Sequence, residues 1–201
     1  MARELFVLRH GRSLANERGL IASSMASAGQ DFGLTAEGHL QVRANLEEAR
    51  GLVSGPVSIC ASPLLRARET AEITADIFGT RVDVDDRLIE RGFGDLEMDS
   101  DERYEAVWAL DRQDPTHRTW RVESVADVLE RLLGLVNELQ ADPSAGAVIL
   151  VTHGDVASIL ICASSEAPLT QHREVGGLET GQLRALEWPP LAEPPIFGSD
   201  S

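Results

Sequence analysis

Hydrophobic positions fall into two alternating patterns along the chain. Short, largely apolar stretches at residues 5–8, 57–60 and 147–152 predict buried strands, Val82–Val84 a further short one, and a last strand is expected at 182–188. Between them the spacing becomes helical. Residues 35–52 predict a helix with Thr35 as N-cap, and 63–78 predict another with Pro63 at its first position, where a missing N–H costs nothing. A shorter helix is expected at 104–110 and an apolar one at 155–163. The strongest stripe is at 124–140, where Val125, Val128, Leu129, Leu132, Leu133, Val136 and Leu139 recur at i, i+3, i+4 and i+7. Ser124 can cap it, with Asp127 three residues on. Strands alternating with helices in near-continuous apolar runs predict a three-layer α/β/α sandwich with a mostly parallel central sheet.

The 201 residues suit one domain, taken as 1–188, followed by a Pro-rich tail at 189–201 that reads as flexible. Segment 19–33 is rich in Gly, Ala and Ser and reads as a loop, a candidate mobile one beside any site; 95–121 has no clear placement. Acidic residues outnumber basic ones 33 to 18, a net charge of −15, which argues against nucleic-acid and anionic-membrane partners. All 18 basic residues are arginine. Schiff-base chemistry and lysine-dependent phosphate loops are therefore excluded. Any anion site must use Arg, His or backbone N–H groups, or a metal. Cys60 and Cys162 lie in apolar runs and read as buried, reduced thiols. The N-terminal run is too short for a signal peptide and no stretch is long enough to span a membrane, so a cytoplasmic protein is expected.

Two apolar runs end alike, in Arg9-His10-Gly11 and in Thr152-His153-Gly154. Ligand sites of open α/β sheets lie at the carboxyl ends of strands. A His there faces a cleft, and the Gly permits close approach and opens a helix whose N–H groups favour an anion. One such segment is most often structural; two in one chain are harder to explain that way. Arg66, in the Ser62-Pro63 to Ala71 segment, falls in the first turn of its helix. Asn16 lies six residues past His10, and Glu90 sits in a short polar loop ending at Gly94.

These motifs, with Arg12-Ser13 and Leu34-Thr35-Ala36-Glu37-Gly38, occur in an order that resembles the histidine phosphatase superfamily, the phosphoglycerate mutase-like branch, from about Glu4 to Trp188. The resemblance implies the phosphoglycerate mutase-like sandwich and a catalytic set of His10, Glu90, Arg9, Arg66 and His153. His10 would be the nucleophile, neutral because Arg9 and Arg66 disfavour its imidazolium. Arg9, Ser13, Asn16, Arg66, His153 and Gly154 would bind the phosphoryl group, and Glu90 would protonate the leaving oxygen and then activate water. No metal and no cofactor is called for. The implied partner is a small phosphorylated metabolite, with no nucleic acid and no membrane; oligomeric state stays open, a homodimer included. Arg12 is expected at most on the pocket rim, Arg68 to pair with Glu72 along its helix, and His39, His117 and His172 to be surface or structural.

The chain also departs from the family pattern. Met98 stands after Glu97 where the family usually has Gly, which puts the loop's shape in doubt. Phe93 replaces a tyrosine of the mutases, and there is neither their lysine nor their adjacent arginine pair. The expected activity is therefore metal-independent hydrolysis of small phosphomonoesters. The alternatives are a 2,3-bisphosphoglycerate-dependent phosphoglycerate mutase and a non-catalytic phosphate-binding relative.

Overall fold

Strand β4 (Ala147–Thr152) is buried at all six residues, because it lies in the middle of a five-stranded sheet. The computed structural model describes residues 3–142, 146–175 and 177–188; the 189–201 tail lies outside them. The sheet order is β3 (Val82–Val84), β2 (Val57–Ala61), β4, β1 (Glu4–Arg9), β5 (Leu183–Leu186). The β3–β2, β2–β4 and β4–β1 pairs are parallel, and β5 joins the edge antiparallel to β1. The last strand is shorter than its apolar pattern predicts.

Alternation along β1 builds the layers. Leu5 and Val7 point into a core shared with α6 (Val125–Ala141) and α7 (Gly154–Ser164); Phe6 and Leu8 point into one shared with α3 (Ala36–Ala49) and α4 (Leu65–Phe78). Helices on both faces of a mostly parallel sheet make the three-layer sandwich that the pattern predicted. Among the described residues no helix is long and apolar enough to cross a membrane.

The local signals hold with three adjustments. Ser124 and Asp127 form a reciprocal capping box on α6, an arrangement worth about 1 kcal/mol. Leu133 is 38% exposed, however, and Leu135 takes its place inside, because at 100° per residue position 133 falls off the buried face. Helix α4 begins at Leu65, so Pro63 precedes the cap instead of opening the helix. Ser62 Oγ accepts the Leu64 N–H at 3.3 Å and holds Leu64 extended, delaying the first turn. Arg68 donates to Gln30 Oε1 at 3.1 Å, not to Glu72, because segment 19–33 packs beside α4 and supplies that acceptor.

Segment 19–33 is a packed wall. It contains a single turn of helix, α2 (Met25–Ala28), and buries Ile21, Ala22, Ser23, Ala28 and Phe32. Glu97 ties it down: its carboxylate accepts the Ser23 and Ser24 N–H groups at 2.7 and 3.0 Å and both the Ser23 and Ser27 hydroxyls. Met98 follows with φ +66°, the left-handed region that favours glycine. The loop keeps the shape a glycine would give it, and methionine carries the strain. Segment 95–121 contributes α5 (Tyr104–Asp111), which closes the far side of the site.

Candidate active site

The carboxyl end of β1 delivers Arg9 and His10, that of β4 delivers His153, and the first turn of α4 brings Arg66 between them. Close packing makes this convergence possible. A Cβ on Gly11 would stand 2.5 Å from Val42, and one on Gly38 would stand 2.1 Å from the Arg12 carbonyl oxygen. Both motif glycines thus let α3 press against the chain leaving β1.

His10 is 3% exposed, and its two ring nitrogens have different partners. Nδ1 lies 2.7 Å from the Gly11 carbonyl oxygen, and Nε2 lies 3.1 Å from Arg66 Nε. A guanidinium can only donate, so the proton is on Nδ1 and a lone pair on Nε2. Burial, then Arg66, then Arg9 push the imidazole pKa well below its ordinary 6.5. The ring is held neutral, with its Nε2 lone pair directed at Arg66.

Around it, positive charge goes unneutralised. Arg66 Nη2 donates to the Ala22 carbonyl at 2.9 Å and Arg9 Nη1 to the Leu178 carbonyl at 2.7 Å. Three buried nitrogens, Arg66 Nη1, Arg9 Nε and His153 Nδ1, have no hydrogen-bond partner among the described residues. Unmet donors of this kind are costly unless a ligand satisfies them. His153 is fully buried, its ring centroid 5.1 Å from that of His10, and Nε2 meets Ser62 Oγ at 2.7 Å. Burial, then Arg66 and His10, keep it neutral too.

Glu90 is not the solvated residue that an acidic loop position usually is. It is 8% exposed, and its carboxylate accepts the Arg91 N–H at 2.9 Å and the Gly154 N–H at 3.1 Å. Burial, then the charge of Asp155, raise its pKa above the ordinary 4.5 against the opposing pull of Arg66 and Arg9. Gly154, expected among the phosphate-binding residues, gives its N–H to Glu90 in this structure. Ser13 and Asn16 form the capping box of α1 (Leu14–Arg18). Asn16 Oδ1 accepts from the Ser13 N–H and hydroxyl, leaving its amide nitrogen as the donor end.

A cavity of about 190 Å³ unites Arg9, His10, Ser13, Asn16, Arg66 and Glu90. His153 stands behind this lining. Arg12 lies outside it, 3.8 Å from Glu37, and so does not reach the rim. His117 and His172 are structural, against Asp111 at 2.8 and 3.8 Å; His39 is exposed. Both cysteines are free and buried, and burial pushes the Cys60 thiol up to about 12. Among the described residues no group of three His, Cys, Asp or Glu side chains is placed to hold a metal ion.

The opposite wall was not foreseen. Tyr104 and Trp108 of α5 stack with their planes 8° apart, Trp108 Nε1 donates to both oxygens of Asp155 at 3.1 and 3.2 Å, and Arg173 lies 3.9 Å over the Trp108 ring. Behind them Arg91, fully buried, makes two bonds to Asp111 at 2.7 and 2.8 Å and one to Asp155 at 3.3 Å. Burial raises the Asp155 pKa, but Arg173, Arg91 and His172 outweigh it and keep the carboxylate ionised. Asp155 follows the His153-Gly154 motif and Tyr104 and Trp108 are one helical turn apart, so both carried a faint local signal; Arg173 carried none.

Comparisons with known proteins converge on one family. The chain is 31% identical over 163 residues to the probable phosphoglycerate mutase GpmB of Yersinia enterocolitica, covering 79% of this chain and 73% of the relative. It is 29% identical over 191 residues to the glucosyl-3-phosphoglycerate phosphatase of Mycolicibacterium vanbaalenii, covering 88% and 80%. The solved structure of a mycobacterial glucosyl-3-phosphoglycerate phosphatase with VO3 superposes with a TM-score of 0.75 at 27% identity, over 93% of this chain and 98% of that one. The family profile described as "Histidine phosphatase superfamily (branch 1)" matches residues 5–190, and with its paired strand-end histidines the chain belongs to that superfamily.

Proposed function

We propose that the chain is a phosphatase of small phosphomonoesters that carries the phosphoryl group on His10, with Glu90 as general acid and then general base. The single observation behind the residue roles is the His10 Nε2 lone pair, held by a buried guanidinium beside donors that lack partners. In the first step Nε2 bonds to phosphorus, the bond to the ester oxygen breaks, and Glu90 gives that oxygen its proton. In the second, water attacks phosphorus, Glu90 takes a proton from it, and the P–N bond breaks to release phosphate and neutral His10. Arg9 Nε and Arg66 Nη1 stabilise the equatorial oxygens, with the Asn16 amide beside them. Ser62 Oγ, donating to His153 Nε2, leaves Nδ1–H as a further donor.

The mutase alternative has the name of the Yersinia relative in its favour. Against it stand the absence of lysine and the apolar Phe93, 1% exposed, in place of the mutase tyrosine. A silent binding module would have no use for a buried carboxyl whose pKa is raised beside His10. A polyanion such as nucleic acid suits neither a cavity this small nor a net charge of −15. Two free thiols suit a reducing, cytoplasmic compartment.

The test is phosphate release from a panel of small phosphomonoesters with EDTA present, wild type beside His10→Ala. Wild type should release phosphate and form an acid-labile phosphoprotein, and His10→Ala should lose both, with turnover down by more than about 10³-fold. Near-normal turnover by His10→Ala would overturn the reading. Interconversion of phosphoglycerates without net phosphate release would transfer it to the mutase.

A further inference from the structure

Two buried carboxyls line the cavity, and the proposed steps use only one of them. Glu90 and Asp155 are joined through the backbone: Glu90 Oε2 accepts the Gly154 N–H at 3.1 Å, and Asp155 is the next residue of α7. Two carboxylates sharing a buried site disfavour each other's charge, so a proton settles on the one with the weaker donors. The donor sets are unequal. Asp155 Oδ1 accepts from Arg173 Nη1 at 3.1 Å and Oδ2 from Arg91 Nη1 at 3.3 Å, and both oxygens accept from Trp108 Nε1. Glu90 accepts only the backbone N–H groups of Arg91 and Gly154 among the described residues. Bonds from charged donors are the stronger kind, so Asp155 keeps the charge and Glu90 takes the proton.

Resting on the phosphatase reading above, we propose that Asp155 is the positioning residue of the acid: fixed and ionised by Trp108, Arg91 and Arg173, it keeps on Glu90 the proton that the leaving oxygen takes. The same charge serves both steps. Glu90 gives its proton to the ester oxygen, and the carboxylate left behind, still beside Asp155, takes one back from the attacking water. Asp155 itself gains and loses no proton. The other groups around Glu90 fit this division. After burial, Asp155 is the strongest influence on the Glu90 proton, ahead of Arg66 of α4 and Arg9 of β1. Those two arginines hold the phosphoryl oxygens in the proposed mechanism, so a bound dianion offsets their pull. Arg131 of α6 reaches the Glu90 carbonyl oxygen, at 3.5 Å, and not its carboxylate. Tyr104 of α5 stays neutral because burial raises its phenol pKa, and His10 and His153 are neutral as well. Asp101 and Arg173 complete the charged lining.

Two readouts test it. The first needs no substrate: a carbon-13 NMR titration of the Glu90 carboxyl, assigned by its loss in Glu90→Gln. Asp155→Asn keeps an acceptor but removes the charge, so the Glu90 midpoint should fall by about one pH unit or more. Arg173→Gln removes a cation that offsets Asp155, so the midpoint should move the other way. The second readout is the pH profile of kcat/KM on phenyl phosphate, a single ester whose own ionisation cancels between variants. In Asp155→Asn the alkaline limb should move down by the same amount, with about a tenfold loss above it, while the acid limb assigned to His10 stays in place. In a Glu90→Gln background Asp155→Asn should shift no limb. A purely structural Asp155 would lower activity equally at every pH and leave the Glu90 midpoint where it was, and that result would overturn the inference. If Asp155→Asn does not fold, Arg173→Gln decides, and a Glu90 midpoint at or below the wild-type value overturns it. His10-dependent turnover with unmoved limbs sinks this inference alone. No turnover of phenyl phosphate or of any ester in the panel sinks the phosphatase reading with it.

Discussion

Arg66 and Arg91 are both almost wholly buried, 4% and 0% exposed, yet the regions around them treat the same charge in opposite ways. Arg91 is surrounded by acceptors: Asp111 twice, Asp155 once, and the Glu123 carbonyl at 2.7 Å from Nε. Burial lowers its pKa, but those carboxylates outweigh burial and raise it. Among the described residues Arg66 hydrogen-bonds only a neutral imidazole and one carbonyl and keeps Nη1 unmet, and its pKa is lowered by burial. A buried cation that is fully paired belongs to the fold. A buried cation left unpaired is a cost to the fold that a bound anion repays. Reading partners, not burial, separates the scaffold from the site.

Deleting each charge tests the contrast directly. Arg91→Met leaves Asp111 and Asp155 buried with their main cation gone, so it should destabilise the chain by about 3–5 kcal/mol in urea unfolding. Arg66→Met should do the reverse: turnover falls about 10²–10³-fold, while stability stays level or rises because an unpaired charge has gone. If Arg66→Met unfolds the chain and Arg91→Met does not, the two regions have been assigned the wrong way round.

A smaller effect concerns protons. Glu90 is raised above its ordinary 4.5 and His10 lowered well below 6.5. The proposed mechanism uses neutral His10 with protonated Glu90, so kcat/KM should drop as pH rises through the Glu90 value and drop again below the lowered His10 value. Glu90→Gln should remove the alkaline limb and cost about 10²-fold on esters with poor leaving groups, less on p-nitrophenyl phosphate. The stability signs are opposite for the two groups. Folded Glu90 binds its proton more tightly than the unfolded chain does, so its contribution is complete below pH 4.5 and lost as pH rises through the raised value. Folded His10 binds its proton less tightly, so its contribution is complete above pH 6.5 and lost as pH falls through the lowered value. An unchanged alkaline limb in Glu90→Gln would remove Glu90 from the mechanism.

The smallest effect lies at Met98. With φ at +66°, Met98→Gly should raise stability by about 0.5–1 kcal/mol and leave turnover intact, measured by thermal unfolding and phosphate release. A loss of stability would mean that the side chain contributes more through packing than the backbone loses through strain.

Sequence alone determined what depends on neighbours along the chain. The apolar runs and the Ser124–Asp127 box set the strands and α6, since periodicity and capping act within a few residues. Paired strand ends carried His10 and His153 to one edge, because parallel strands present their carboxyl ends together. Tertiary structure alone decided what depends on residues far apart in the chain. Glu90 owes its raised pKa to burial and to Asp155 of α7, and Gly154 of the same helix is its donor. Packing likewise moved the start of α4 past Pro63 and turned segment 19–33 into a wall held by Glu97, 70 or more residues away. Arg173 acquired its restraint from Asp155, Ser158 and Trp108, three residues that no spacing rule connects to it. His10 is written locally because a strand end fixes its direction; the groups that tune it are not, because charge and burial are set by whatever the fold brings near.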